Sequence, residues 1–534
     1  TPEWGVTHFA KIQDGINAVA VGGTVHVADG TYNESVTIDK SLSLMGNPGD
    51  SNPGPDINAP ILDGTSFDSK RAFSISNNVT NVIIKGFKIQ NFGPNGKTEC
   101  NGITAWCQST SNITIEDNYF YNLGYSGILT GNGWGGSQGL HNNWIIRNNV
   151  VDTTGAYGFD IENAKNTLIS NNIIKNIPSY GINVVSLTTE NGANIISENN
   201  EVSYNTFENV NYYNIHLLSW STNSTATSIL RNINVHHNTI NSSSPAIIAW
   251  KTGTGALSIE NITINNNTLN INNPTGSGYA INLNNVSGSS RCNHNNINLT
   301  GSIGGGGTFF HGINIGESST DTWYLENNVL NGNSLGSASV GIRIRDSLTS
   351  TSILNIKNNK IFNWVNGVLS DNLVSGTDVN INYNNIVNNS NYGILNGTGE
   401  VLDARYNWWG SNDGPSGEGP GSGDAVSANV DYDPWLRMFS PPISNEDITF
   451  WFTPGDSPAK WRIEIISKGY DTGFKEFTFF KELNGCIFGK YYDFKNGIHL
   501  SLTWNGTENG WIIRFTDLKN GILIIIVDGV LIGG

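Results

Sequence analysis

A short phrase built around paired asparagines recurs through most of the chain and limits its fold more than any other feature. It appears as IEDNYF, IIRNNVV, LISNNII, VSYNTF, VHHNTI, INNNTL, CNHNNI, LENNVL, IKNNKI and INYNNIV, and finally as ARYNWWG. Taking the second asparagine of each, the marks fall at Asn118, Asn149, Asn172, Asn205, Asn238, Asn267, Asn296, Asn328, Asn359, Asn385 and Asn407, at intervals of about 22 to about 33 residues. Self-similarity at such a period is the signature of a solenoid. The shortest interval is one compact coil, and the excess in the others is loop. About ten residues after most marks comes a second element: YSGILT, YGFDIE, YGINVV, YAINLN, HGINIG, VGIRIR.

In these elements Ile and Val alternate with polar residues at period two, so each short strand has one apolar face. One coil cannot bury that face alone. Coils stacked ~4.8 Å apart bury a continuous apolar column and pair every strand with its neighbours. Asn tolerates the left-handed backbone region and bonds nearby main chain, so a repeated Asn in the tight turn predicts a stacked ladder. Gly is expected to open the following strand where a Cβ would clash. Only 13% of residues are charged, and the composition favours Ile, Val, Thr, Asn and Gly over helix formers. The predicted fold class is therefore all-β, a right-handed parallel β-helix. The net charge of −16 argues against nucleic acid and anionic membranes as partners. No apolar run near the N-terminus is long enough to span a bilayer.

Residues 1–50 differ in texture. Phe9, Ile12, Ile16 and Val19 recur at helical spacing, followed by short strand-like runs. A helix before strands suits an N-terminal cap, leaving residues 51–437 for the β-helix. The segment FAKIQDGINAVAVGGTVHVADGTYNESVTIDKSLSLMG resembles the opening of NosD-like, PbH1-type β-helices of surface proteins, and NWWGSNDGPSG (Asn407 to Gly417) resembles their closing phrase. That resemblance implies fold and says almost nothing of chemistry. Thr1 suggests a mature secreted protein with its signal peptide removed. Sequons at Asn33, Asn78, Asn112, Asn223, Asn241, Asn261, Asn266, Asn285, Asn298, Asn388, Asn396 and Asn505 suit a glycosylated surface, although an Asn- and Thr-rich chain also produces sequons by chance. Cys100 and Cys107 are near enough in sequence to close a local loop, while Cys292 and Cys486 are expected to be free and buried.

After Pro441-Pro442, Asn becomes rarer and charged and aromatic residues commoner, and about seven strands are predicted over 438–534. ITFWF, IISKG and LIIIVDGVLIGG resemble the concanavalin-like, laminin-G-type β-sandwich, or jelly roll. In that family further strands follow the VDGVL hairpin. Here none do, so either the strands are rearranged or the sandwich is incomplete, with an edge open to another chain and hence to self-association. The resemblance also implies glycan binding.

For catalysis, the nearest local match is AYGFDIENAKNTLI with YGINVVS, which resembles the active-site strands of mannuronan C5-epimerases. Their Tyr-Gly-Phe-Asp falls on Tyr157, Gly158, Phe159 and Asp160. The histidine expected two residues on is Glu162, and the second aspartate falls among Val184, Val185 and Ser186. Proton abstraction beside a uronate needs a base, an acid and a charge neutraliser, and the set is incomplete. Tyr157, Asp160 and Glu162 remain the catalytic candidates. FHGINIGESS with VGIRIRDS is superficially similar to polygalacturonase motifs, without the upstream aspartates.

The outward positions of the Gly-Ile strands should align Asp160, Asn183, His216, Asn282, Asn314 and Arg343. With Trp220 and Trp250 this row predicts a sugar-binding strip of Asn183, His216, Trp220, Trp250 and Arg343, since rings pack on pyranose faces and amides bond hydroxyls. The plain alternative is a solvated sheet face. His236, His237 and His294 are spaced too widely for one metal ion. Asp413, Asp424, Asp431 and Asp433 are oxygen-rich enough for calcium but lack EF-hand spacing, and no other cofactor is implied. Two functions follow. One is an extracellular cell-surface structural or assembly protein, such as a layer, sheath, filament or adhesin subunit. The other is a secreted carbohydrate-active enzyme, a lyase or uronate epimerase with a C-terminal glycan-binding module.

Overall fold

The structure, a computed structural model, describes residue 5 and residues 8–437 apart from short segments at 49–52, 94–96, 98, 107–108, 132–138, 275–276, 303–308, 317–321, 335–337, 346–351, 372 and 374–375. Beyond 437 it describes only the backbone of strands between Ile448 and Gly533. The main body is a right-handed parallel β-helix with three sheets, the second and third of 13 and 15 strands. One coil runs Thr110–Glu116, Tyr119–Leu123, Ser126–Thr130, giving one strand to each sheet. The next runs His141–Arg147, Val150–Thr154, Tyr157–Glu162, with Ile113 beside Trp144, Phe120 beside Val151 and Ile128 beside Phe159.

Inward residues form unbroken columns. On the third sheet Ile128, Phe159, Ile182, Ile215, Ile247, Ile281, Ile313, Ile342, Val368 and Ile394 follow one another in register. All are fully buried. Burying one such side chain is worth roughly 1.5–3 kcal/mol, so each column holds its coils together.

The asparagine ladder is present with two changes. Its members are Asn118, Asn149, Asn172, Asn205, Asn238, Asn267, Asn295, Asn328, Asn359, Asn384 and Asn407, so Asn295 and Asn384 replace the expected Asn296 and Asn385. In each step the backbone N–H of one Asn donates to the side-chain oxygen of the next, at 3.0 Å from Asn118 to Asn149 and 2.9 Å from Asn149 to Asn172. The left-handed residue is the one before the ladder Asn: Asp117, Asn148, Asn171, Tyr204, His237, Asn266, His294, Asn327, Asn358, Tyr383 and Tyr406. In CNHNNI and INYNNIV two asparagines follow the left-handed His294 or Tyr383, and the first of them is the ladder residue, one position earlier than expected. Glycine opens the third-sheet strands as expected: a Cβ on Gly158 would lie 2.4 Å from the Gly181 carbonyl oxygen, and one on Gly181 2.6 Å from that of Asn214.

At the N-terminus a helix spans Ile12–Ala18 and buries Ile12, Gly15 and Ile16. The Glu34 carboxylate accepts the helix's first N–H groups, Ile12 at 2.9 Å and Gln13 at 3.2 Å. Thr24–His26, Thr31–Tyr32 and Val36–Ile38 already enter the three sheets, so the first coil starts within the first fifty residues. At the other end Trp409 is fully buried, and the Asp424 carboxylate accepts from Asn389 N at 3.0 Å and Nδ2 at 2.7 Å. Cys100 and Cys292 are free and buried, so Cys100 closes no disulfide loop. Cys107 and Cys486 lie outside the described residues. Among the described residues no helix is long and apolar enough to cross a membrane.

The C-terminal strands form two antiparallel sheets. One orders Ile448–Phe452, Gly510–Thr516, Ile498–Asn505 and Tyr491–Phe494; the other Gly473–Phe479, Ala459–Ser467, Gly521–Val527 and Val530–Gly533. The Gly521–Val527 strand is paired on both sides, and Val530–Gly533 takes the edge.

Candidate functional site

The outward row of the third sheet is in the expected register. Asp160 lies beside Asn183, Asn183 beside His216, Asn282 beside Asn314, and Asn314 beside Arg343. Ile248 stands between His216 and Asn282, an apolar interruption that divides the row in two.

The first half is not the solvated face that strand alternation suggests. Asp160, Asn183 and His216 are only 0%, 1% and 2% exposed. They form one hydrogen-bonded chain whose polarity follows from donor chemistry. The Trp250 indole only donates, here to His216 Nε2 at 2.6 Å. His216 must then carry its proton on Nδ1, which donates to Asn183 Oδ1 at 2.8 Å. Asn183 Nδ2 in turn donates to Asp160 Oδ1 at 2.8 Å. Four coils are thereby linked, and Asp160 Oδ2 is left buried without a partner among the described residues. Burial pushes the Asp160 carboxyl up to about 7 against the opposing Asn183 hydrogen bond, and pushes His216 down to about 3, so the imidazole is neutral.

Tyrosines at the start of the same strands cover this row. Tyr157 stacks on Tyr180 with centroids 5.2 Å apart, and Tyr180 stacks on His216 at 4.7 Å. Tyr125 meets Tyr157 edge-on at 5.3 Å. Burial first, then the Asp160 charge, holds the Tyr157 hydroxyl far above its ordinary value and Tyr125 up to about 12. Tyr157 therefore stays protonated at neutral pH, while the Asp160 carboxyl lies near neutrality. Glu162 follows on the same strand, buried, with its N–H donating to Thr130 Oγ1 at 2.7 Å. Further along the face Val185, Leu187 and Leu218 form a small apolar cluster, against which the partly exposed Trp220 and Trp250 pack.

Five candidates thus gather in one place: Asp160, Asn183, His216, Trp250 and, beside them, Tyr157. Arg343 does not join them. It lies six coils from Asp160, about 29 Å at ~4.8 Å per coil. Its Nε and Nη2 donate to Asp371 Oδ2 at 3.0 and 2.8 Å, and His311 beside it accepts from Val340 N at 3.1 Å. Tyr125, Tyr180, Tyr213 and Asp371 were not among the expected site residues. The Tyr-Gly pair shared with Tyr157 was the available signal for Tyr180; Tyr125 is followed by Ser126 and Tyr213 by Asn214, so that signal does not reach them.

Elsewhere, His236 Nδ1 and His237 Nδ1 are 2.9 Å apart and His236 Nε2 is 3.1 Å from Glu201 Oε1. Among the described residues no group of three or more His, Cys, Asp or Glu could hold a metal ion. Of the proposed calcium residues, Asp424 is taken up by Asn389, Asp413 accepts from Ser422 N at 3.0 Å, Asp431 lies 3.7 Å from Arg405 Nε, and Asp433 is exposed. Among the sequons, Asn33, Asn78, Asn112, Asn261, Asn266 and Asn388 are exposed, and Asn223, Asn241, Asn285 and Asn298 half-buried. Asn396 is buried and donates its amide to the Glu400 and Asn429 carbonyls, both at 2.8 Å. The Asn505 side chain lies outside the described residues.

Fold and face together define a right-handed parallel β-helix with a polar, aromatic site on its third sheet. The family model for a right-handed β-helix region matches residues 58–200. Among solved structures, the chain is similar to the tailspike protein of E. coli bacteriophage HK620 in complex with a pentasaccharide, with 10% identity, 95% of this chain and 86% of that chain covered, and a TM-score of 0.35. It is also similar to PfbA, a surface adhesin of Streptococcus pneumoniae (14% identity, 65% and 87% covered, TM-score 0.31). A third is DFA-IIIase from Arthrobacter chlorophenolicus A6 without its lid (12%, 68% and 83%, 0.27). Likenesses this loose carry no functional information. No curated protein matches the chain.

Proposed function

We propose that this chain is an extracellular surface protein that binds a polysaccharide across the outward face of its third sheet, at Asp160, Asn183, His216 and Trp250. The observation that carries this reading is the Trp250–His216–Asn183–Asp160 chain, which ends on a buried carboxylate oxygen with no partner among the described residues. A polar network left one bond short suits a ligand hydroxyl, which reaches the covered Asp160 oxygen once Tyr157 and Tyr180 move aside. The partly exposed Trp220 and Trp250 supply rings for a pyranose face. In the same reading the exposed sequons carry glycans, and the two C-terminal sheets close as a β-sandwich through which molecules self-associate.

Calorimetric titration of the full chain with neutral and uronate-containing oligosaccharides tests the site. Asp160→Ala and Trp250→Ala should each weaken binding by tenfold or more. Equal affinity in both variants and the parent would sink the assignment.

A second reading, a carbohydrate-active enzyme, is favoured by one observation: Asp160 is poised near neutrality, with Glu162 two residues along the same strand. Two carboxyls about 6.6 Å apart along a strand fall near the separation glycoside hydrolysis uses. Product release from uronate polymers that is abolished by Asp160→Asn would establish it.

A further inference from the structure

The corner between the second and third sheets holds a feature that the Asp160 site does not use. Where the strands Val150–Thr154, Ile173–Ile177 and Thr206–Val210 end, a shallow cleft of about 400 Å³ is lined by Thr154, Gly155, Asn176, Pro178, Asn209 and Asn211. That volume is at the lower end of the ~300–1,000 Å³ of small-molecule sites.

The lining contains no ionisable side chain. The charges beside it are Asp152, engaged by Lys175 at 3.3 Å and Asn176 Nδ2 at 2.8 Å, and the exposed Glu208 next to Asn209, in register with Lys175. Asn209 Nδ2 donates to Asn176 Oδ1 at 3.2 Å, which ends this outer amide ladder. The Asn209 side-chain oxygen and the whole Asn211 amide then have no partner among the described residues. The buried Thr154 hydroxyl is also unpartnered. Next to Asn211, Tyr212 is 46% exposed and stacks on Tyr213 with centroids 4.1 Å apart. Tyr180 touches Tyr212 at 5.5 Å and His216 at 4.7 Å, so this platform is continuous with the row at Asp160.

We infer that the corner cleft is a second saccharide subsite, one that takes a neutral sugar residue. Its ring lies on Tyr212 and its hydroxyls bond Asn209 and Asn211. The subsite rests on the polysaccharide reading above and deepens it: a bound chain crosses Tyr180 and places an uncharged residue at the corner. Amides satisfy hydroxyls, whereas a carboxylate or sulfate would meet Asp152 and Glu208 beside a Lys175 already held by Asp152.

The test uses the full chain on an array of neutral and acidic glycans, followed by titration calorimetry with the best-retained neutral oligosaccharide. Tyr212→Ala and Asn211→Ala alter exposed positions and should each weaken binding about tenfold or more. Unchanged affinity in both variants overturns the subsite, as does an array that retains acidic glycans alone or none. Asp160→Ala separates the two sites. Binding lost in Asp160→Ala yet intact in the Tyr212 and Asn211 variants refutes the corner and keeps the row. The reverse pattern supports the corner and refutes the row.

Discussion

Asp160 shows how one residue combines strand geometry with solvation. It occupies an outward position, yet the tyrosines of its own and neighbouring coils remove it from water, and its carboxyl rises to about 7 from an ordinary value of 3.8. A carboxyl whose folded pKa is raised contributes stability that is complete below its unfolded pKa and lost as pH rises through the folded one. Asp160→Asn keeps an oxygen to accept from Asn183 and cannot ionise. Its melting temperature should match the parent near pH 4 and exceed it at pH 8. The difference has a ceiling of about 4 kcal/mol, from roughly three pKa units at 1.36 kcal/mol each. Equal melting of both proteins at pH 8 would mean that Asp160 is solvated.

At the scale of the element, two devices hold each coil. Ile182 sits mid-column between Phe159 and Ile215 and is fully buried. Ile182→Asp places an unpaired carboxylate there, which costs several kcal/mol. It should lower the thermal midpoint sharply or prevent folding, and an unchanged midpoint would mean that the inward register is wrong. Asn205 tests the ladder. Its oxygen accepts from Asn172 N and Nδ2 at 3.0 and 2.9 Å, and its amide donates to the Ile169 carbonyl at 2.9 Å. Asn205→Ala strands these buried groups at about 1–3 kcal/mol each. Asn232→Ala, on the exposed outer ladder, should cost far less. Chemical denaturation of the two variants compares them directly. Asn205 was legible as a ladder residue; Asn295 and Asn384 were misplaced by one because "second asparagine" stood in for "residue after the left-handed one".

At the scale of the molecule, buried titratable groups set the acid response. Burial lowers His141 to about 4 and His216 and His311 to about 3, so all three stay neutral until the chain unfolds. Groups with depressed folded pKa values lose their stability as pH falls below the unfolded value. Asp160 at about 7 and Asp424 at about 6 act in the opposite sense. For these five groups, unfolding between about pH 4.5 and 6 takes up three protons on the histidines and releases two from the aspartates, a net uptake of one. Stability should therefore fall gently with acid, by about 1.4 kcal/mol per pH unit. In Asp160→Asn the net uptake becomes two and the slope should double, as measured by denaturant midpoints across that range. A slope unaffected by the substitution would contradict this balance.

The all-β solenoid, its coil period, its inward columns and the register of the outward row were all determined by sequence alone. A repeat must bury its apolar face against its own copies, and period-two alternation leaves one choice of face for each residue. Alternation also predicted that Asp160, Asn183 and His216 point outward. It carried no information on whether water reaches them, because that depends on Tyr157 and Tyr180 folding over the row and on Trp250 reaching diagonally back from the next coil. Likewise the corner cleft joins Thr154, Asn176 and Asn209, residues 22 and 33 positions apart that stacking alone makes neighbours. Their partnering is a property of contacts between coils, which a single coil's sequence does not contain.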